Sequence, residues 1–310
     1  MAIFFNVKET SQSISKELKS YNSGKVHSVY KRTINILLKE KMVSIQPQDL
    51  PNTPMFIGVE IRHDTFDLLN IEKDDQVIFK PDRFIINNHE FNHSSSLLWD
   101  PKLNYIKLAL EDFNPEKTDF LSNLLKIYGR REGLRDLAIY LYNKKLKNIS
   151  IDLGNNRLTA KALSLVKAGM ESIISGKTGD AAKSINGLIG MGPGLTPSGD
   201  DFLTGFLSVL LSVDIDLRHL KEFQKDLIKQ IKNSLNKTTF LGGEFLKYAC
   251  IGEFSQPFHQ FYISFKSTDK AKIASSTINF LKLGHSSGSD SVSGIITGML
   301  IINELIKKHF

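Results

Sequence analysis

The chain has 310 residues, 41% of them hydrophobic and 24% charged, with a formal net charge of +7. That length buries a sizeable core and allows two domains or one large one, and the composition excludes a disordered or fibrous protein. The lysines are dispersed among acids, as in Lys144, Lys145 and Lys147 or Lys221, Lys225 and Lys229, which reads as solvated helix faces and argues against a nucleic-acid footprint.

Residues 1 to about 110 read as short β-branched or aromatic strands at 26–30, 33–38, 42–45, 55–61, 76–80 and 84–86. Turn signals such as Asn22-Ser23-Gly24 and Asn87-Asn88 separate them at sandwich or barrel spacing. The expectation is an antiparallel β domain over 1–112. From about 115 the apolar period becomes helical, as in Leu217, Leu220, Phe223, Leu227, Ile228, Ile231 and Leu235, a stripe with lysines opposite. Further helices are expected at 117–128, 132–147, 159–175, 200–213, 240–250, 268–282 and 290–308. The fold class is therefore α+β, a mostly antiparallel β domain followed by a mostly α-helical domain over 113–310.

A single cysteine, Cys250, allows neither a disulfide within the chain nor a cysteine metal site, and makes a reducing, cytoplasmic setting the default expectation. The apolar run at Met1-Ala2-Ile3-Phe4-Phe5 is too short for a signal peptide, and Asn303 and Glu304 interrupt the longest C-terminal one. Neither an export signal nor a membrane span is expected.

Several motifs imitate chemistry. His89-Glu90-Phe91-Asn92-His93 spells a zincin pattern, which needs a helix to bring both histidines to one zinc. A strand-like Phe84-Ile85-Ile86 and the Asn87-Asn88 turn precede it, and in an extended chain residues four apart lie roughly 13 Å from each other. Gly284-His285-Ser286-Ser287-Gly288 matches a nucleophile elbow, but the only later histidine is His309, in the same final helix. Gly176-Lys177-Thr178 lacks the earlier glycine of a P-loop and reads as a helix C-cap and turn. Gly190-Met191-Gly192-Pro193-Gly194 has Leu195 where a dinucleotide fingerprint needs glycine. No nucleotide cofactor is indicated.

The strongest signal is a repeat. Ser198-Gly199-x-Asp201-x-x-x-Gly205 returns as Ser287-Gly288-x-Asp290-x-x-x-Gly294, with every position displaced by 89, since Ser287 minus Ser198 and Asp290 minus Asp201 give the same value. Each copy runs into an apolar helix with small residues along one face: Gly205, Ser208 and Ser212 in one, Ser291, Gly294 and Gly298 in the other. These helices are expected to be buried and to pack together, with their motif-bearing N-termini close. A glycine-rich turn at a helix N-terminus presents free N–H groups and positive dipole, the makings of an anion site. Gly192, Gly194 and Gly199, with Pro193 and Pro197, make the first loop rigid. Thr196 and Ser198 add hydroxyls, and Asp200 and Asp201 could cap the helix or turn inward as metal ligand, base or acceptor. The second loop offers Ser286, Ser287, Gly288 and His285, whose ordinary pKa of about 6.5 suits a proton shuttle or a phosphate donor. Thr238-Thr239, ahead of another helix, is a candidate third wall. Ordinary helix capping is the competing account of every one of these turns.

At these residues the chain resembles the AllH family. The carriers are Gly190 through Gly205, the Thr238-Thr239 turn, Gly284 through Asp290, and the stretch 94–101 with Trp99. The resemblance implies the third subunit of an oxamate carbamoyltransferase of allantoin breakdown, working with an acyl-CoA synthetase-like subunit and one further subunit. Carbamoyl would pass between carbamoyl phosphate and oxamate, both small anions. Loops 192–201 and 284–290 would hold the anion through N–H groups, Thr196, Ser198, Ser286 and Ser287. Asp201, Asp290 and His285 would orient the carbamoyl amine or exchange protons with it. At Ser289 the chain departs from the commoner pattern, which has an aromatic residue. No cofactor is evident and a divalent metal stays open. A non-catalytic scaffold that docks partner subunits, and a stand-alone hydrolase of small amides or esters using Ser286, are the alternatives.

Overall fold

A computed structural model describes residues 3–61, 66–146 and 156–309, with backbone alone at 67, 68, 145 and 146. The readings that touch Met1, Ala2 and Lys147 lie outside the described residues. The chain divides into two compact units, one running to Lys102 and taking in Phe254–Gln256, the other holding Leu103–Glu253 and Pro257 onward.

The first unit is a barrel-like sheet with one short helix. Its strands are β1 (Phe4–Ser11), β2 (Ser23–Tyr30), β3 (Thr33–Leu38), β4 (Lys41–Pro47), β5 (Phe56–Val59), β6 (Gln76–Phe79), β7 (Arg83–Ile86), β8 (His89–Asn92) and β9 (Leu97–Trp99), with α1 (Gln12–Leu18) after β1. The strand order is β5-β4-β3-β2-β6-β7-β8-β1-β9, and a further pairing of β5 with β1, the next-to-last strand, closes the sheet on itself. That closure protects most edges. The sheet is mixed: most of the pairings among the described strands are antiparallel, as expected, but β1 runs parallel to β8 and β9, and β4 parallel to β5. Alternation marks a strand but not its neighbour, and β1, followed by a helix, has no hairpin partner to fix its direction. Side chains of period two fill the interior. Phe84 pairs with Phe91 across β7 and β8, and Phe5 with Phe91 across β1 and β8, stacking three rings at centroid distances of 4.7 Å.

The zincin-like segment is β8 itself. His89 is buried with Nε2 2.7 Å from the Leu69 carbonyl oxygen, a packing role. Trp99 meets Phe56 edge-on at 5.7 Å, in this unit.

The second unit is helical: α2 (Pro115–Tyr128), α3 (Arg135–Leu146), α4 (Arg157–Ile174), α5 (Thr178–Asn186), α6 (Ser198–Ser212), α7 (Arg218–Lys232), α8 (Phe240–Ala249), α9 (Gln256–Phe265), α10 (Lys270–Leu281) and α11 (Ser287–His309). The α7 stripe buries Leu220, Phe223, Leu227 and Ile231 and leaves Lys221, Lys225 and Lys229 in solvent. Gly176, at φ +76°, turns the chain out of α4, and α5 follows at once. α5 and α9 are additions to the expected helices. α3 begins at Arg135 rather than at 132, because residues 130–134 form a turn in which Gly133 takes φ +77°. By length and composition α11 could cross a membrane, yet 83% of its apolar window is buried inside the fold.

α6 and α11 form the centre of this unit, and glycine sets how closely they pack. A Cβ on Gly205 would lie 1.9 Å from the Ser291 carbonyl oxygen, and one on Gly294 would lie 2.0 Å from that of Phe202. Any side chain at either position forces the backbones apart. At Gly298 the atoms nearest an added Cβ belong to the Val209 and Phe206 side chains, the closest at 3.2 Å. Gly205→Ala and Gly294→Ala are therefore expected to destabilise the protein by about 3 kcal/mol or more. Gly298→Ala, which gains helix propensity, should stay within about 1 kcal/mol of wild type. Denaturant unfolding of the three variants checks this order, and equal losses at all three sites would refute it.

Candidate functional site

The close crossing brings the two repeated loops face to face. Thr196 Oγ1 and Ser287 Oγ lie 3.2 Å apart, and Ser291 Oγ donates to the Asp201 carbonyl oxygen at 3.3 Å. The Asp201 carboxylate faces the hydroxyls of Ser287 and Thr196, and that of Asp290 faces those of Ser286 and Ser198. Each aspartate thus reaches the serine that opens the opposite motif. The contacts Asp201–Ser287 and Asp290–Ser198 exchange under the 89-residue offset, as do Gly205–Ser291 and Gly294–Phe202. The two halves are related by a local pseudo-two-fold arrangement.

Neither aspartate caps its own helix. The N-cap of α6 is Pro197, which makes no side-chain capping bond. Asp290 Oδ1 instead accepts from the Leu134 N–H at 2.6 Å, in the turn between α2 and α3. Ser289 Oγ accepts from the Arg130 N–H at 2.8 Å in the same turn, and Ser293 Oγ donates to the Leu134 carbonyl at 2.8 Å. A Cβ on Gly133 would sit 2.3 Å from Asp290 Oδ1, so only glycine allows this turn to wrap the carboxylate. Sequence reasoning missed this wall by running a helix through it; a glycine just ahead of a helical period was the available signal. Ser289 is part of the clasp.

Asp200 has a different place. Oδ1 accepts from the Gly190 N–H at 2.8 Å, and Oδ2 accepts from the Thr238 hydroxyl. Asp200 therefore ties the start of the first loop to the Thr238 turn. Thr239 donates to the Leu195 carbonyl at 2.5 Å and caps α8 by accepting from the Gly242 N–H at 3.0 Å. The expectation of free amides at Gly199 and Gly288 is corrected, because their N–H groups donate to Met191 and Leu283 carbonyls. Both glycines permit close packing instead, since a Cβ would lie 1.9 Å from the Leu188 oxygen at Gly199 and 2.0 Å from the Phe280 oxygen at Gly288. Gly192 and Gly194, at φ +103° and +104°, form the turn whose tip, Pro193 to Leu195, is exposed. His285 is exposed on the second loop. The elbow reading fails on the same loop, because helix α10, not a strand, leads into it.

Burial dominates the electrostatics. Asp290 is completely covered, and burial pushes its carboxyl up to about 6 against the opposing pull of the Leu134 amide and the Ser286 and Ser198 hydroxyls. Asp201 keeps some exposure as a residue, but its Oδ2 is covered; burial raises its pKa well above the ordinary value, and the negative charges of Asp290 and Asp200 raise it further. Asp200 is raised by burial too, less so for its bonds to Gly190 and Thr238.

The description "oxamate carbamoyltransferase subunit AllH" belongs to the family model that matches residues 188–299, which hold both loops. The model of the AllH family N-terminal domain matches residues 6–97, most of the barrel-like unit. The chain belongs to the AllH family. No solved structure matches it. The AllH models leave residues 98–187 outside both matches, and the turn that clasps Asp290 lies in that stretch.

The folded state binds the Asp290 proton more tightly than the unfolded chain does. The carboxyl therefore favours folding below about pH 4, and this contribution is lost as the pH rises through about 6. In chelator-treated protein, Asp290→Asn is expected to match wild-type stability near pH 4 and to exceed it at pH 8 by on the order of 1–3 kcal/mol. Unfolding curves at both pH values check this, and a gain independent of pH would show that the buried charge is not its source.

Proposed function

We propose that this chain is the subunit of a carbamoyltransferase complex that holds the small anionic substrates, carbamoyl phosphate and oxamate, at the paired loops 192–201 and 284–290. Membership of the AllH family supports the reaction class. The observation that carries the reading is the meeting of two separate loops, which puts Thr196, Ser198, Ser286 and Ser287 around the carboxylates of Asp201 and Asp290. Hydroxyl donors and helix N-termini suit the phosphate and carboxylate groups of these substrates. In this reading the preorganised hydroxyls stabilise charge developing on the transferred carbamoyl group. Asp201 and Asp290 orient the carbamoyl amine, and exposed His285 exchanges protons at the mouth of the site. Asp200, Thr238 and Thr239 position the first loop. The other subunits, one of them acyl-CoA synthetase-like, complete the complex, and the cytoplasm is its proposed location.

A purely structural role for the loops predicts ordinary caps and satisfied side chains. Asp201 Oδ2 and Asp290 Oδ2 are instead covered and without hydrogen-bond partners, an arrangement that stability alone disfavours.

The test is reconstitution with the partner subunits. Asp201→Asn and Asp290→Asn are expected to assemble normally and to lower kcat by about a hundredfold or more. Full activity in either variant would refute the assignment. Carbamoyl phosphate or oxamate at a hundred times its dissociation constant should stabilise the wild-type chain by about 2.7 kcal/mol. A thermal-shift series with each compound reads this, and no shift with either would leave the loops without a substrate.

A further inference from the structure

A site for anions that is lined by two carboxylates, one buried and one with a covered oxygen, has a charge problem. Asp290 has no solvent exposure; its Oδ1 accepts from the Leu134 amide, and the hydroxyls of Ser286 and Ser198 face its carboxylate. Asp290 Oδ2 and Asp201 Oδ2 are both covered and unpartnered. Among the described residues, no lysine, arginine or histidine pairs with Asp200, Asp201 or Asp290, and the charges acting on Asp201 are the other two carboxylates. The helix N-termini of α6 and α11 supply partial positive charge, too little to balance two carboxylates and an incoming phosphate. Every side-chain donor atom around the gap is oxygen: two carboxylates with the hydroxyls of Thr196, Ser198, Ser286 and Ser287.

We infer that Asp201 and Asp290 jointly hold a divalent cation of the magnesium class, completed by an oxygen of the bound phosphate or carboxylate. An all-oxygen set fits a hard cation and disfavours zinc or copper. No group of three or more acidic, histidine or cysteine side chains that could hold a metal occurs among the described residues. Two carboxylates without a third are what magnesium uses when it arrives with a phosphate and keeps part of its water shell. The cation deepens the function proposed above, and the role of its anionic partner rests on that reading. It supplies the positive charge the loops lack, fixes the substrate's phosphate or carboxylate against both halves of the pseudo-two-fold, and leaves His285 as the proton-exchanging group.

The experiment titrates Mn2+ into the full-length, chelator-stripped chain by electron paramagnetic resonance, with and without inorganic phosphate. One Mn2+ per chain is expected, displaced by Mg2+ and bound at least about tenfold more tightly with phosphate present. Asp201→Asn and Asp290→Asn should each weaken it by at least about tenfold while keeping a cooperative melt, and Asp216→Asn, on an exposed carboxylate, should not. Absence of Mn2+ binding with phosphate present, or binding unaltered in both Asn variants, overturns the inference. Carbamoyl phosphate binding equally well in chelator and in Mg2+ overturns it too, and leaves the substrate assignment standing. Mn2+ binding that requires both aspartates, in a chain that binds neither carbamoyl phosphate nor oxamate, supports the cation site and removes the substrate assignment.

Discussion

The helical unit depends on one contact made twice, a glycine of one central helix set against a backbone carbonyl of the other. Gly205 over Ser291 and Gly294 over Phe202 hold α6 and α11 at a separation that no side chain permits. That separation decides whether Ser198 and Ser287 reach across to the opposite aspartates. Moving the helices apart by the width of a methyl group would break both reciprocal pairs at once. The buried apolar residues that surround the crossing, among them Phe202, Phe206, Ile295 and Met299, hold the close approach against the repulsion of the charges at its end.

The pseudo-two-fold also shows where the two halves stop being equivalent. Asp201 belongs to a loop closed from one side by Asp200 and the Thr238 turn. Asp290 belongs to a loop closed by the turn at 129–134, through Leu134 and Arg130. A symmetric frame with unlike walls gives the two equivalent carboxylates different surroundings, so Asp290 is clasped by an amide while Asp201 feels two neighbouring charges.

Local regularities were legible in the sequence, and long-range partners were not. β3 falls on the expected residues, and the small faces of α6 and α11 forecast their packing because glycine at helical spacing has few other uses. Strand direction in the barrel was hidden, since alternation is the same in either direction. The clasp on Asp290 was hidden for a different reason. Leu134 lies 156 residues away and contributes only a backbone amide, which every residue but proline carries. The amides of Gly199 and Gly288 illustrate the opposite error: glycine density suggested open donors, whereas the loops use these N–H groups themselves.

Capping accounts for some of these turns and not for others, and the difference is measurable in the bonds. Thr239 behaves as a cap: its hydroxyl oxygen accepts from the Gly242 amide three residues on. An aspartate doing the same work would sit at the N-cap, accept from its own helix and remain near water, where the dipole stabilises its charge without much desolvation. Asp201 and Asp290 lie inside the first turn of their helices and leave a covered oxygen unbonded. Their burial opposes ionisation more strongly than the hydroxyls and the Leu134 amide favour it. Two carboxylates held in that state at equivalent positions of one frame are a stability loss repeated twice. Packing alone does not require it, because asparagine has nearly the same shape and carries no charge. The arrangement makes physical sense when something enters between the loops and completes the coordination of both free oxygens.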